Sequence, residues 1–251
     1  MKIFPLTLIP DDTRIDFMKM RWVSLGLAAL LLVASVAGIV VKGFNYALDF
    51  TGGTVVELRR TEFVGPQVGA ELARNGVYAA LFVIVGFLIY IGARFEWKFA
   101  VVASVTTLFD VLVVAGLFAM TGREFDLTVL AGLLSVMGFS INDTIVVFDR
   151  VRENFRGMRA DPLEVFNRSI NQTLSRTIIT SLVFFLSVFA LFLYGGGSLE
   201  GLALTQMLGA VVATLSSILI ACPLLTYGVL RVTKQDLLPK ARDEEALARR
   251  P

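Results

Sequence analysis

Long apolar stretches alternate with short polar ones along the whole chain. A hydrocarbon core about 30 Å thick needs roughly 20 mainly apolar residues in one helix. Six stretches meet that need: 22–41, 77–93, 99–120, 127–148, 177–194 and 202–230. The first carries no charge and is flanked by Arg21 and Lys42. Ser35-Val36-Ala37 resembles a leader-peptide cleavage site. The apolar run exceeds a typical leader core and more spans follow, so it reads as a signal anchor. A straight helix over all of 202–230 would reach about 44 Å, more than the bilayer core. Tilt, or a kink near Cys222-Pro223, is therefore expected.

The polar stretches differ from one another. In 42–76 a Gly52-Gly53 turn leads into Thr54-Val55-Val56-Glu57-Leu58, which reads as a short strand. In 149–176, Asp161 suits a helix cap, Pro162 the first helical position and Glu164 the third. Val165, Phe166, Ser169, Ile170 and Thr173 follow at helical spacing. This predicts an amphipathic helix against membrane lipid at the bilayer surface, leading into the fifth span. The terminal segments are 1–21 and 231–251; the second is short, charged and read as a mobile tail. The fold class is an all-α membrane protein, a six-helix bundle with a short β-containing outer loop.

Charge sets the orientation. With the N-terminus inside, the inner segments hold 18 Lys and Arg and the outer segments 5. Basic residues concentrate on the cytoplasmic side of membrane proteins. Both termini are thus predicted to be cytoplasmic, in a multi-pass membrane protein.

Composition then narrows the chemistry. The chain is 56% hydrophobic and only 18% charged, against about 25% charged in soluble domains. The net charge of +2 gives no reason to expect nucleic acid. One cysteine, Cys222, precludes an internal disulfide, and the lack of histidine removes His-based catalysis and most zinc sites. No G-x-x-x-x-G-K-[ST] string occurs, so nothing suggests ATP hydrolysis. No cofactor, metal or enzymatic activity is predicted. Carboxylates are left as the natural groups for a proton relay.

Charged groups inside a span cost at least about 2.5 kcal/mol, which singles out Asp110 and Asp143. Asp143 lies about 7.5 Å from the inner end of the fourth span, counted to residue 148. Arg176 begins the fifth span at similar depth. A pair there would make both charges tolerable, and Arg keeps its proton, so the acid would titrate. The alternatives are a helix stop at Asn142-Asp143-Thr144 and an ordinary basic anchor at Arg176. Asp110 is either a relay or a structural acid bonded to Thr106 or Thr107. Asp126, at the outer mouth of the fourth span, reads as a cap. Ala131, Ser135 and Gly138 form a small-residue face suited to close helix approach, and place Asp143 toward a partner rather than lipid.

Several strings, in order, resemble the SecF type of the SecD/SecF protein-export family. Leu48-Asp49-Phe50-Thr51-Gly52-Gly53-Thr54 is similar to its LDFTGGT signature, and Val64-Gly65-Pro66-Gln67-Val68-Gly69 to its VGP-x-VG segment. Arg94-Phe95-Glu96-Trp97 matches the next inner turn. Asn142-Asp143-Thr144-Ile145-Val146-Val147-Phe148-Asp149-Arg150-Val151-Arg152-Glu153-Asn154 resembles the fourth-span motif in its SecF form, and Gln172-Thr173-Leu174-Ser175-Arg176-Thr177 the start of the fifth. The resemblance implies an RND-type membrane fold and an accessory role in the Sec translocase. Its implied partners are a SecD-like subunit, a SecYEG-type translocon and the translocating preprotein. It also implies proton flow through Asp143 and Arg176, a less defined role for Asp110, and an architectural role for 49–53. One departure stands out: the folded outer domain expected after LDFTGGT is missing, since Leu58-Arg59-Arg60 runs almost directly into Thr61-Glu62-Phe63. The rival functions are a stand-alone RND-type exporter of small molecules or lipids, and a membrane chaperone without ion coupling.

Overall fold

The computed structural model describes residues 13–51, 53–57, 60–64, 66–158 and 160–232. Gly52, Leu58 and the tail beyond Val232 lie outside the described residues, as does the mobility expected of that tail. Six helices are long and apolar enough to cross a membrane. They are α1 (Arg21–Lys42), α3 (Pro66–Arg94), α4 (Trp97–Thr121), α5 (Leu127–Gly157), α6 (Pro162–Tyr194) and α7 (Gly197–Ser216), the last continuing through a π turn to Leu224. Between α1 and α3 lie β1 (Asn45–Tyr46), α2 (Leu48–Thr51), β2 (Gly53–Glu57) and β3 (Arg60–Val64). β2 pairs antiparallel with β3, Gly53 opposite Val64 and Glu57 opposite Arg60. The sequence reading foresaw β2 but not its partner. It also missed β4 (Glu124–Phe125), which pairs in parallel with β1.

Helix limits depart from the expected spans where helices outrun the bilayer pattern. α3 begins eleven residues before 77, and α5 runs nine past 148. The supposed surface helix and the fifth span are one helix of 33 residues. Its N-terminal cap is as predicted, with the Asp161 carboxylate accepting from the Leu163 N–H at 3.3 Å. The expected face is buried too, but against protein rather than lipid. Val165, Phe166, Ile170 and Leu174 pack with Phe148, Val151 and Phe155 of α5. Extending both helices past the bilayer pattern lets their apolar faces cover each other. The same α6 segment anchors the start of the chain. Asn171 Nδ2 donates to the Ile15 carbonyl at 2.8 Å while its Oδ1 accepts from the Ile15 N–H at 3.0 Å. Asn167 Oδ1 accepts from the Met18 N–H at 2.8 Å.

The sixth span is not apolar helix to residue 230. A π turn, Ser217–Ala221, precedes Cys222-Pro223, the continuous helix ends at Leu224, and only a short 3-10 turn, Gly228–Leu230, follows. Pro223 offers no N–H to the carbonyl four residues earlier, and widening the preceding turn accommodates that missing bond. The predicted break therefore takes the form of a π turn.

α4, α5 and α7 form the centre and bury half or more of their apolar windows; α1, α3 and α6 bury under a fifth. One large apolar cluster occupies the end near Phe95, Phe99, Phe148, Phe155 and Phe166. A second holds Val114, Phe118, Phe125, Val129 and Leu133 toward the other end. Close approach between α5 and α7 is set by glycine. A Cβ on Gly132 would lie 2.8 Å from the Thr205 Cβ, and one on Gly209 would collide with Val136. The small-residue face read on the fourth span, Ala131, Ser135 and Gly138, is exposed on this chain.

Candidate functional site

Between the two apolar clusters, at mid-length of the bundle, lies a seam of buried polar side chains. It includes Thr106, Thr107 and Asp110 of α4, Ser140, Asp143 and Thr144 of α5, Thr177 and Ser181 of α6, and Ser216 and Ser217 at the end of α7. On α5 the spacing 140, 143, 144 puts three polar groups on one helical face, turned into the bundle.

Asp143 sits inside an unbroken α5, so it neither stops nor caps a helix. It is 3% exposed. Its face meets α6 and α7 of the same chain, correcting the expectation that it turns toward a partner. The Ser181 hydroxyl donates to Asp143 Oδ2 at 3.2 Å. Ser181 Oγ in turn accepts from the Thr214 hydroxyl of α7 at 2.8 Å. Thr214 Oγ1 is also 2.6 Å from the Ala210 carbonyl. Sequence reasoning missed Ser181 and Thr214, because α6 and α7 carry several hydroxyls and only helix rotation selects these two.

Arg176 does not form a direct ion pair with Asp143, although its charge is close enough to act on the carboxyl. The Arg176 side chain lines a cleft of about 310 Å³ with Tyr90, Phe95, Asp149, Arg150 and Gln172. It therefore stands between two settings, an open polar cleft and the electrostatic reach of a buried carboxyl.

Asp110 is fully buried. Ser140 donates to its Oδ2, and Ser216 lies against the same carboxyl. Neither Thr106 nor Thr107 supplies the expected bond. Thr106 donates to the Val102 carbonyl of its own helix at 2.9 Å, and the Thr107 hydroxyl has no partner among the described residues. Asp110 Oδ1 also lacks a partner there, as do the Thr144 and Thr177 hydroxyls.

The remaining singled-out residues build the frame. Asp126 is the N-cap of α5, accepting from the Val129 N–H at 2.7 Å and the Thr128 hydroxyl at 2.8 Å. Asp49 accepts from the Leu127 N–H at 3.2 Å, so a second carboxylate serves the same helix start. Phe50 joins Phe44, Tyr46 and Phe125 in an aromatic cluster, with ring centroids 6.0 Å apart for Phe50 and Phe125. Thr51 donates to the Ala47 carbonyl at 3.2 Å, and Gly53 begins β2. These contacts of Asp49, Phe50 and Thr51 join the chain after α1 to the start of α5. At the other end Arg152 pairs with Glu96 at 3.5 Å, tying α5 to the α3–α4 turn. Arg150 pairs with Glu153 at 2.8 Å along the exposed helix. Asn142 and Asp149 are exposed, Asp149 in the cleft with Arg176. Among the described residues no cluster of three or more acidic or cysteine side chains is placed to hold a metal.

Comparison with known proteins identifies the family. The family described as "Protein export membrane protein SecD/SecF, C-terminal" matches residues 46–231. The SecF translocase subunit of Haemophilus influenzae is 36% identical, covering 96% of this chain and 91% of that protein. That alignment runs over 307 positions, more than the 251 residues here, so the relative carries segments this chain lacks. The SecDF subunit of Brucella abortus is 34% identical over 92% of this chain, which spans 39% of that longer protein. The crystal structure of SecDF from a Thermus species, described as a translocon-associated membrane protein, superposes with a TM-score of 0.81 at 33% identity. It covers 87% of this chain and 39% of the crystallised one. With the matched segment spanning most of the bundle and a full-length relative covered almost end to end, the chain belongs to the SecD/SecF family of protein-export membrane proteins, as a multi-pass translocase subunit of the SecF type and a transporter rather than an enzyme.

Proposed function

We propose that this subunit couples the proton-motive force to late-stage protein export across the bacterial inner membrane, together with a SecD-like subunit. Asp143 binds and releases the proton, Arg176 is its switchable partner, and Asp110 is a deeper station on the same seam. Both termini, and the 149–176 segment with the Arg176 cleft, lie on the cytoplasmic side. The SecD-like chain, a SecYEG-type translocon and the translocating preprotein are the partners. The loop between α1 and α3 lacks a sizeable domain, so substrate contact outside the membrane falls to the partner.

One observation carries this reading. Asp143 is a buried carboxyl in a membrane-spanning helix, held by a neutral hydroxyl while a cation stands close without pairing to it. Buried acids in membrane helices are costly and are typically retained for ion or proton handling. A purely structural acid needs no such alternative cation.

Asp143→Asn keeps size and hydrogen bonding but cannot titrate. The variant should insert and assemble, yet lose proton-gradient-dependent stimulation of export in vesicles carrying the complete complex. A response to the gradient equal to the parent's would overturn the reading and favour the chaperone alternative.

A further inference from the structure

We infer that Ser181, backed by Thr214, is the positioning residue of Asp143, a hydroxyl cradle that serves both protonation states of the carboxyl without moving a heavy atom. The inference deepens the proton-coupling reading above and rests on it.

Three oxygens run in series from the carboxyl. Ser181 Oγ is 3.2 Å from Asp143 Oδ2, Thr214 Oγ1 is 2.8 Å from Ser181 Oγ, and the Ala210 carbonyl is 2.6 Å from Thr214 Oγ1. A hydroxyl both donates and accepts, and its hydrogen rotates freely. With the carboxyl ionised, Thr214 donates to Ser181 and Ser181 donates to Oδ2. With the carboxyl protonated on Oδ2, that O–H donates to Ser181, Ser181 donates to Thr214, and Thr214 donates to the Ala210 carbonyl. Each hydroxyl keeps one hydrogen throughout, and the added proton stays on Asp143. A terminal backbone acceptor is what lets the series reverse. Leaving a buried polar group unpaired in either state would cost about 1–3 kcal/mol.

The cradle also explains how Arg176 can come and go. Ser181 and Arg176 are five residues apart on α6, about 7.5 Å along the axis. One helix thus offers the carboxyl a neutral partner and a cationic one. The neutral partner does not lose its function when the proton arrives, whereas the cation loses its Coulombic attraction. Arg176 is the charged group of α6 whose field reaches Asp143; the polar side chains of α7 at this level are the hydroxyls of Thr214 and Ser216, and α4 contributes Asp110, held by Ser140.

The test uses the complete complex in vesicles with two readouts. The first is gradient-dependent stimulation of export. The second is the carbonyl band of protonated Asp143 in infrared difference spectra between two pH values, identified by its loss in Asp143→Asn. Ser181→Ala should lower the stimulation about tenfold, the scale of one hydrogen bond to a charged group, and should shift the band. Ser181→Thr should restore both. Thr214→Val should shift the band in the same direction by less, which keeps the inference testable if Ser181→Ala fails to assemble. Parent-like stimulation with an unmoved band in Ser181→Ala would overturn the cradle while leaving Asp143 as the proton site. So would lost stimulation with an unmoved band, the mark of a merely structural hydroxyl. Parent-like behaviour of Asp143→Asn would instead remove the proton-coupling reading itself.

Discussion

Two carboxyls lie in the same seam, and their surroundings differ. Asp143 has two hydroxyls in series beside it and lies within the field of Arg176, which lines a cleft. Asp110 is sealed, has the hydroxyls of Ser140 and Ser216 against it, and keeps an oxygen with no hydrogen-bond partner among the described residues. Solvent exposure is small at both sites, so exposure does not separate them. The capacity to satisfy two protonation states does. On this comparison we propose Asp143 as the group that cycles, with Asp110 as a subordinate station.

Breaking the cation side should have the largest effect. Arg176→Ala removes the alternative partner and should abolish gradient-dependent export. Arg176→Lys should remain impaired, because an ammonium is a point charge and lacks the planar fork of a guanidinium. The vesicle assay reads both, and a fully active Lys variant would show that charge alone suffices.

A smaller effect, on stability rather than coupling, should follow changes that touch only packing or the Asp110 side. Gly209→Ala forces a methyl into Val136 where α5 meets α7, and overpacking of this kind costs about 1–3 kcal/mol. Ser140→Ala removes one of the two hydroxyls against Asp110 and should cost a similar amount. Thermal unfolding in detergent measures both. If Ser140→Ala abolishes coupling without loss of stability, the ranking of the two carboxyls is reversed.

The smallest effect should come from the helix cap. Asp126→Asn should be near neutral, since Asn also caps, whereas Asp126→Ala should cost about 1 kcal/mol. Thermal unfolding again checks this, and a loss of proton coupling in Asp126→Asn would make the cap a relay.

The sequence made some of this legible. Spans follow from apolar length alone, so all six helices were foreseeable, as were the caps Asp126 and Asp161, whose spacing is local. The buried face of α6 was readable from helical periodicity, but the surface it covers was not. That depends on α5 outrunning the bilayer pattern, which no local signal records. Ser181, Thr214 and Ser140 were invisible for the same reason, since a hydroxyl's partner across helices depends on rotation and depth. The Asp143–Arg176 pairing was half legible. Depth put the two near each other, while the structure gives the carboxyl to Ser181 and leaves the cation within electrostatic reach. The π turn was foreseen only as a disturbance near Pro223, because proline marks where a bond is missing but not how the helix absorbs it.

The central claim is that protons cross through Asp143. Proton entry into vesicles, followed with an enclosed pH-sensitive dye, tests it most directly when the complete complex is engaged with an exporting substrate. The parent should acidify the lumen faster than empty vesicles, Asp110→Asn should retain part of that flux, and Asp143→Asn should fall to the empty-vesicle rate. Undiminished proton entry in Asp143→Asn would contradict the account.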